Sequence, residues 1–205
     1  METYLTECLE SIARQTFRDF EVIMVDDGST DSSTAIAEEF CAADPRFRLI
    51  RQDSQGPGHA RNTGLRAMRP GGEFLVFADG DDVIPEYAYE LLIRTLSESG
   101  SDFVSGNVQM MNSTTKWQSP LHKGPMQRDR KGTHITRFEA LIYDRTVWNK
   151  VFRRSFWDYH FIQFPEGVLY EDSWVNMFAH FKAKKVDVIS DIVYFWRRRD
   201  GGAAP

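Results

Sequence analysis

Glu73-Phe74-Leu75-Val76-Phe77-Ala78-Asp79-Gly80-Asp81-Asp82 is the stretch whose reading decides the fold. An apolar run from Phe74 to Ala78 ends on three carboxylates interrupted by one glycine. A run this short and unbroken predicts a strand buried on both faces. Its carboxylates then lie at the C-terminal end of a central strand, where open α/β sheets bind their ligands. Gly80 lets the turn fold tightly and aim Asp79 and Asp81 at one point. Like charges packed that closely are costly unless a cation lies between them. Hard oxygen ligands suit Mg²⁺ or Mn²⁺, ions that commonly bridge to phosphate oxygens. Taken alone, the stretch reads equally well as an acidic turn that begins a helix near Pro85, with Asp82 as its cap.

Upstream, strand and helix patterns alternate. Leu5, Leu9 and Ile12 mark a helix from about Tyr4 to Gln15, and Phe20 to Val25 a strand ending on Asp26-Asp27-Gly28-Ser29-Thr30-Asp31. A helix through Ile36 and Phe40, a strand from Phe47 to Ile50 and a helix opened by Gly56-Pro57-Gly58 follow. Downstream come a helix from about Glu86 to Ser97 and a short strand at Phe103-Val104. The alternation predicts an α/β fold, a mostly parallel sheet with helices on both faces. Residues from about Asn107 to Thr136 are polar and aperiodic, which predicts a long functional loop. Helical patterns resume at Arg137 and run through Trp148-Asn149-Lys150-Val151-Phe152, Glu171-Asp172 open another helix, and Val186–Ile189 and Ile192–Trp196 read as two short strands.

The 205 residues are enough to bury a sizeable core, with one domain as the default. A formal net charge of −5 gives no reason to expect nucleic-acid binding. Cys8 and Cys41 lie in helical patterns without metal-ligand spacing, which favours reduced, buried thiols. No apolar run approaches a membrane span and Met1-Glu2-Thr3 is no signal peptide, so a cytoplasmic location is expected, with peripheral association at the inner face of the membrane left open.

Three stretches together resemble the family 2 glycosyltransferases of the GT-A fold: Val25-Asp26-Asp27-Gly28-Ser29-Thr30-Asp31, Ala78-Asp79-Gly80-Asp81-Asp82 and Tyr170-Glu171-Asp172. Gly58-His59-Ala60-Arg61-Asn62-Thr63-Gly64 and the opening Tyr4 to Ile12 with Gln15-Thr16-Phe17 are similar to the family's connecting segment and first helix. The motifs stand in family order across nearly the whole chain. Two departures stand out: nothing before Tyr4 supplies the strand with which family members begin, and the chain stops where they continue. A fragment of a larger enzyme is one expectation from this. An unpaired sheet edge that recruits a second copy is another.

The resemblance implies an inverting transfer from a nucleotide-sugar donor, UDP-linked by preference, to a glycan, lipid-linked or cell-envelope acceptor. It implies Asp27 on the nucleotide base, Asp79 near the ribose, Asp81 or Asp82 on the metal, and Asp172 as general base. Arg61 is a candidate for the donor phosphates. Each residue also has a plainer reading: Asp27 in an Asx turn, Asp172 as an acid in a first helical turn, Arg61 on the surface. Glu171 reads as a supporting or solvated residue, Trp117 as a sugar-stacking candidate in the long loop, and Trp148 as core. Arg197-Arg198-Arg199 reads as a solvated basic face. Residues 1–106 are expected to bind the donor and 107–205 to hold the acceptor and the base. The rival is a non-catalytic nucleotide-binding or interaction domain; a nucleotidyltransferase would need a glycine-rich, Lys- or Arg-bearing loop at its first strand, and none is visible.

Overall fold

A computed structural model describes residues 1–199. In chain order the elements are α1 (Glu2–Ala13), β1 (Val22–Asp27), α2 (Ser33–Ala43), β2 (Phe47–Gln52), α3 (Pro57–Arg66), β3 (Phe74–Val76), α4 (Ala88–Ser99) and β4 (Phe103–Met111). They continue with β5 (Lys116–Gln118), α5 (Pro120–Lys123), β6 (Arg130–Thr133), a 3₁₀ turn (Glu139–Tyr143), β7 (Lys150–Arg153), α6 (Arg154–Tyr159), α7 (Glu171–Lys182) and β8 (Val186–Arg197).

β1 and β2 pair in parallel as a two-stranded sheet. A second sheet has the order β3-β7-β4-β8-β6, with β5 added to β4. Its β4 and β8 run parallel, whereas β7 runs antiparallel to both β3 and β4. The α/β architecture is therefore as expected, but the pairing is mixed rather than mostly parallel. The difference comes from β7: Trp148 to Phe152, read as helical, is a turn and a strand. Val151 and Phe152 are wholly buried on opposite faces of the sheet, and an unbroken apolar stretch suits that as well as a helix.

The central sheet is covered on both sides. Along β3, Phe74 and Val76 pack with Leu9 of α1, Leu92 of α4 and Tyr194, while Leu75 between them packs with Phe152, Trp157 of α6 and Val175 of α7. β4 divides the same way at Phe103 and Val104. This alternation is what a two-sided strand requires.

Three further expectations are corrected. The strand before the acids ends at Val76, and Phe77 continues as extended chain packed on Trp157 and Phe164. Residues 107–136 are not one long loop, because β4 runs on to Met111 and β5, α5 and β6 follow. Their polar side chains are satisfied inside the sheet or lie on its outer strands β5 and β6; Asn107, buried on the central strand β4, donates to Ser190 O at 3.1 Å. The two short terminal strands are one strand, β8, whose pairing with β4 shifts register near Asn107. Cys8 is buried and Cys41 half-buried, both as free thiols.

Candidate active site

The turn after β3 gathers the acids at one end of the sheet. Asp82 N donates to Asp79 O at 3.2 Å, which closes the turn. Gly80 is not in the left-handed region, and a Cβ there would make only an ordinary contact, 3.4 Å from Leu5 Cδ1 of α1, so the turn packs on α1 without requiring a glycine. Asp79 N donates to the buried Tyr194 hydroxyl at 3.1 Å, anchoring the turn to β8.

The three carboxylates have different surroundings. Asp82 is 2% exposed; its Oδ1 accepts from Arg197 N at 2.6 Å and its Oδ2 has no hydrogen-bond partner among the described residues. Burial, with Asp79 and Asp81 adding to it, raises its pKa well above the ordinary carboxylate value. Asp81 is more open, and its Oδ2 accepts from Arg199 Nη2 at 2.8 Å. Arg197 Nε donates to Asp81 O at 2.6 Å. Arg197 and Arg199, read from the sequence as part of a solvated face, are thus folded onto the acidic turn.

Asp79 meets Arg61. The helix that carries Arg61 starts where Gly56, at φ +90°, and Pro57 break β2's extension. Arg61 Nη2 lies 2.7 Å from Asp79 Oδ1, and Nη1 pairs with Glu171 Oε1. At 16% side-chain exposure, Arg61 is no surface arginine. Glu171, read as supporting or solvated, is buried as its partner. Asn62 locks the same junction, donating to Phe164 O at 2.8 Å and accepting from Phe164 N at 2.9 Å. Gly58 permits the approach, since a Cβ there would meet Pro165 O at 2.3 Å. Asn62 lies in the segment Gly58–Gly64 that resembles the family's, though the resemblance gives it no role, and the sequence offers no signal for Tyr194.

Asp172 sits in the first turn of α7, just after Tyr170, a non-glycine residue held at φ +59°. Its Oδ1 accepts from Ser173 N at 2.8 Å. Burial raises its pKa against the pull of Arg61, and Glu171 and Asp79 push it further up. Asp79 is raised by burial for similar reasons, with Arg61 opposing and Asp81 and Glu171 adding. These acids share one electrostatic site bridged by one guanidinium.

Asp27 lies at the end of β1. Its Oδ1 accepts from Gln52 Nε2 at 2.6 Å and Gln55 N at 2.9 Å, and its Oδ2 from Gly56 N at 2.8 Å and Ser54 Oγ at 3.3 Å. Burial raises its pKa, but the bonds from Gln55, Gln52 and Gly56 outweigh that and lower it. The Asx-type turn belongs to Asp26, whose Oδ1 accepts from Ser29 N at 2.9 Å. Trp117 lies on β5 and Trp148 is core, stacked on Tyr194 with centroids 4.2 Å apart.

Behind α7 is a wholly buried polar cluster. Lys150 Nζ lies 2.7 Å from Asp144 Oδ1 and 2.8 Å from Asn149 Oδ1, and Asn176 of α7 donates to Asp144 O. His122 and His180 flank Asp144, each with Nε2 3.6 Å from a carboxylate oxygen. Burial lowers the pKa of His122 to about 4 and also lowers that of His180, so both are neutral near pH 7. His180 is therefore structural.

The model for glycosyl transferase family 2 matches residues 2–161. The chain belongs to glycosyl transferase family 2. Among its family relatives, EpsH of Bacillus subtilis (strain 168) is 37% identical over 96% of this chain and 57% of its own length. The poly(ribitol-phosphate) beta-N-acetylglucosaminyltransferase TarS of Staphylococcus aureus (strain Mu50) is 29% identical over 98% of this chain and 34% of its own. The crystal structure of S. aureus TarS 1-349 in complex with UDP-GlcNAc superposes with a TM-score of 0.82 at 28% identity, covering 98% of this chain and 56% of that one. The GT-A architecture read from the sequence is thereby shown, and the chain spans little more than half the length of the EpsH relative.

For a family 2 chain the fit of a divalent ion can be tested on the carboxylates. Among the described residues no three His, Cys, Asp or Glu side chains converge as a ready-made metal cage. Mg²⁺-type ions are commonly held by one or two carboxylates plus substrate phosphates. Asp81, open apart from Arg199, and the unpartnered Oδ2 of Asp82 supply oxygen donors of the right kind.

Proposed function

We propose that the chain is the transferase domain of an inverting glycosyltransferase that moves a sugar from a UDP-linked donor to a saccharide or cell-envelope polymer acceptor. The observation that supports this best is Arg61, which joins the acid at the end of β3 to the acidic start of α7. An inverting transfer needs both: a donor site that holds a diphosphate, and a fixed carboxylate opposite the leaving group. The TarS likeness, with a nucleotide-sugar complex on the same fold, supports the donor class.

In this reading Asp79 and Asp27 orient the nucleoside, Arg61 faces the donor's charged end, and Asp81, with Asp82 behind it, would hold Mg²⁺ or Mn²⁺. When bound, such an ion supplies charge neutralisation at the departing diphosphate. Asp172 takes the proton of the acceptor hydroxyl, and its raised pKa brings it closer to the range a general base needs at neutral pH. Residues 1–106 carry donor recognition and 107–205 the acceptor side, at the cytoplasmic face of the membrane. The reaction is tested by incubating the protein with UDP-sugars and polyol-phosphate or glycan acceptors and measuring released UDP. Acceptor-dependent release that falls at least about 10²-fold in D172N is expected. Equal release by D172N overturns the assignment of the base.

A further inference from the structure

The helix that begins with Glu171-Asp172 has a second face. Val175, Asn176, Ala179 and His180 of α7 are buried against the sheet. On the opposite side Trp174, Phe178 and Phe181 are 70%, 42% and 62% exposed, and Tyr170 at the helix start continues the row. Counted from Tyr170 these positions are i, i+4, i+8 and i+11, one stripe of a helix. Met177 widens it and shares a shallow depression with Ile142, Tyr143 and Arg145. A contiguous aromatic surface of this kind on a folded protein marks an interaction site.

From Ser173 to Val186 the charged side chains are all basic. Past Asp172, α7 carries no acidic side chain. Lys182 Nζ lies 5.5 Å from the centre of the Phe178 ring, Lys184 and Lys185 are exposed just beyond the helix, and Arg145 is exposed beside Met177. A second copy docked on this face would bring lysines against lysines, which disfavours self-association. An apolar row with Trp and Tyr, bordered by lysine and arginine, is the pattern of a helix lying in a lipid interface.

We propose that this face of α7 docks on an anionic lipid bilayer, with the aromatic row in the headgroup–acyl boundary and Lys182, Lys184, Lys185 and Arg145 on lipid phosphates. α7 is then both the membrane-facing helix and the helix that carries Asp172 on its other side, about one helix diameter, roughly 10 Å, from the lipid. A lipid-linked acceptor fits that arrangement. This last step rests on the reading of Asp172 as the base; the docking does not.

The test is sedimentation of the protein with vesicles of phosphatidylcholine alone or mixed with phosphatidylglycerol, beside the triple variants W174S/F178S/F181S and K182Q/K184Q/K185Q. The substituted side chains are solvent-facing, so circular dichroism and nucleotide binding are expected to match wild type. Wild type is expected to sediment with the anionic vesicles only and to be released by salt, with binding lowered by about tenfold or more in either variant. No sedimentation of folded wild type overturns the proposal, as does equal binding by the aromatic variant. A wild-type dimer in light scattering that becomes a monomer in the aromatic variant overturns it in favour of a second copy. Nucleotide binding is read in the same samples, so loss of docking is separable from failure of the transferase reading.

Discussion

Arg61 and Glu171, 110 positions apart in the chain, form a largely buried ion pair, and the same guanidinium reaches Asp79 at 2.7 Å. One side chain therefore sets the distance between the donor-side acid and the first turn of α7. Two carboxylates this close without a cation between them repel. R61A is expected to lower turnover by at least about tenfold and to reduce thermal stability. R61K is expected to rescue little, because an ammonium cannot span both carboxylates with a planar fork. Kinetics on the two variants, beside their melting curves, check this.

The pH dependence of turnover follows from Asp172. Its pKa is raised by burial and by the neighbouring Glu171 and Asp79, and the base works only when deprotonated. Activity is therefore expected to fall on acidification at a pH above the ordinary aspartate value. R61A, which removes the opposing cation, moves that limb further up. A pH–rate profile of both proteins measures the shift, and an unchanged limb in R61A contradicts it.

Asp82 gives a stability prediction with a definite sign. Its folded pKa is raised, so the stability of its protonated form is complete below the unfolded pKa and is lost as pH rises through the folded one. As pH rises toward neutrality the fold must either hold that proton or bury an anion whose Oδ2 has no partner among the described residues. D82N, which keeps an acceptor for Arg197 N, is expected to melt a few degrees higher at pH 7 in the absence of divalent ions. The gap should close on acidification. Scanning fluorimetry across pH reads it directly.

Lys150 and Asp144 are both wholly buried, with Asn176 tying the pair to α7. K150M leaves the Asp144 carboxylate buried without its cation and is expected to cost about 3–5 kcal/mol. The double variant K150M/D144N, which removes both charges, is expected to recover a large part of that. Denaturant titrations of the single and double variants give the coupling energy.

The legible parts of this chain were those where chemistry and local pattern coincide. Phe74 to Ala78 running into Asp79-Gly80-Asp81-Asp82 marks a strand end because apolar and acidic residues separate cleanly there. Glu171-Asp172 opens a helix as read, since acids in a first turn and an apolar period both point the same way. Trp148 to Phe152 misleads because a strand buried on both faces has no period to read. The partnerships of Arg61 with Glu171 and of Arg199 with Asp81 are long-range, and local pattern carries no trace of them. Four hydrogen bonds from residues 52–56 to Asp27 are hidden in the same way.

The most direct test of the central claim, that the acids after β3 form a nucleotide-sugar site, is calorimetric titration of UDP with and without Mn²⁺, repeated on D81A. The account predicts binding that Mn²⁺ strengthens and that D81A loses while remaining folded. Binding by wild type that neither Mn²⁺ nor D81A alters would contradict it, as would no binding of UDP by the folded protein.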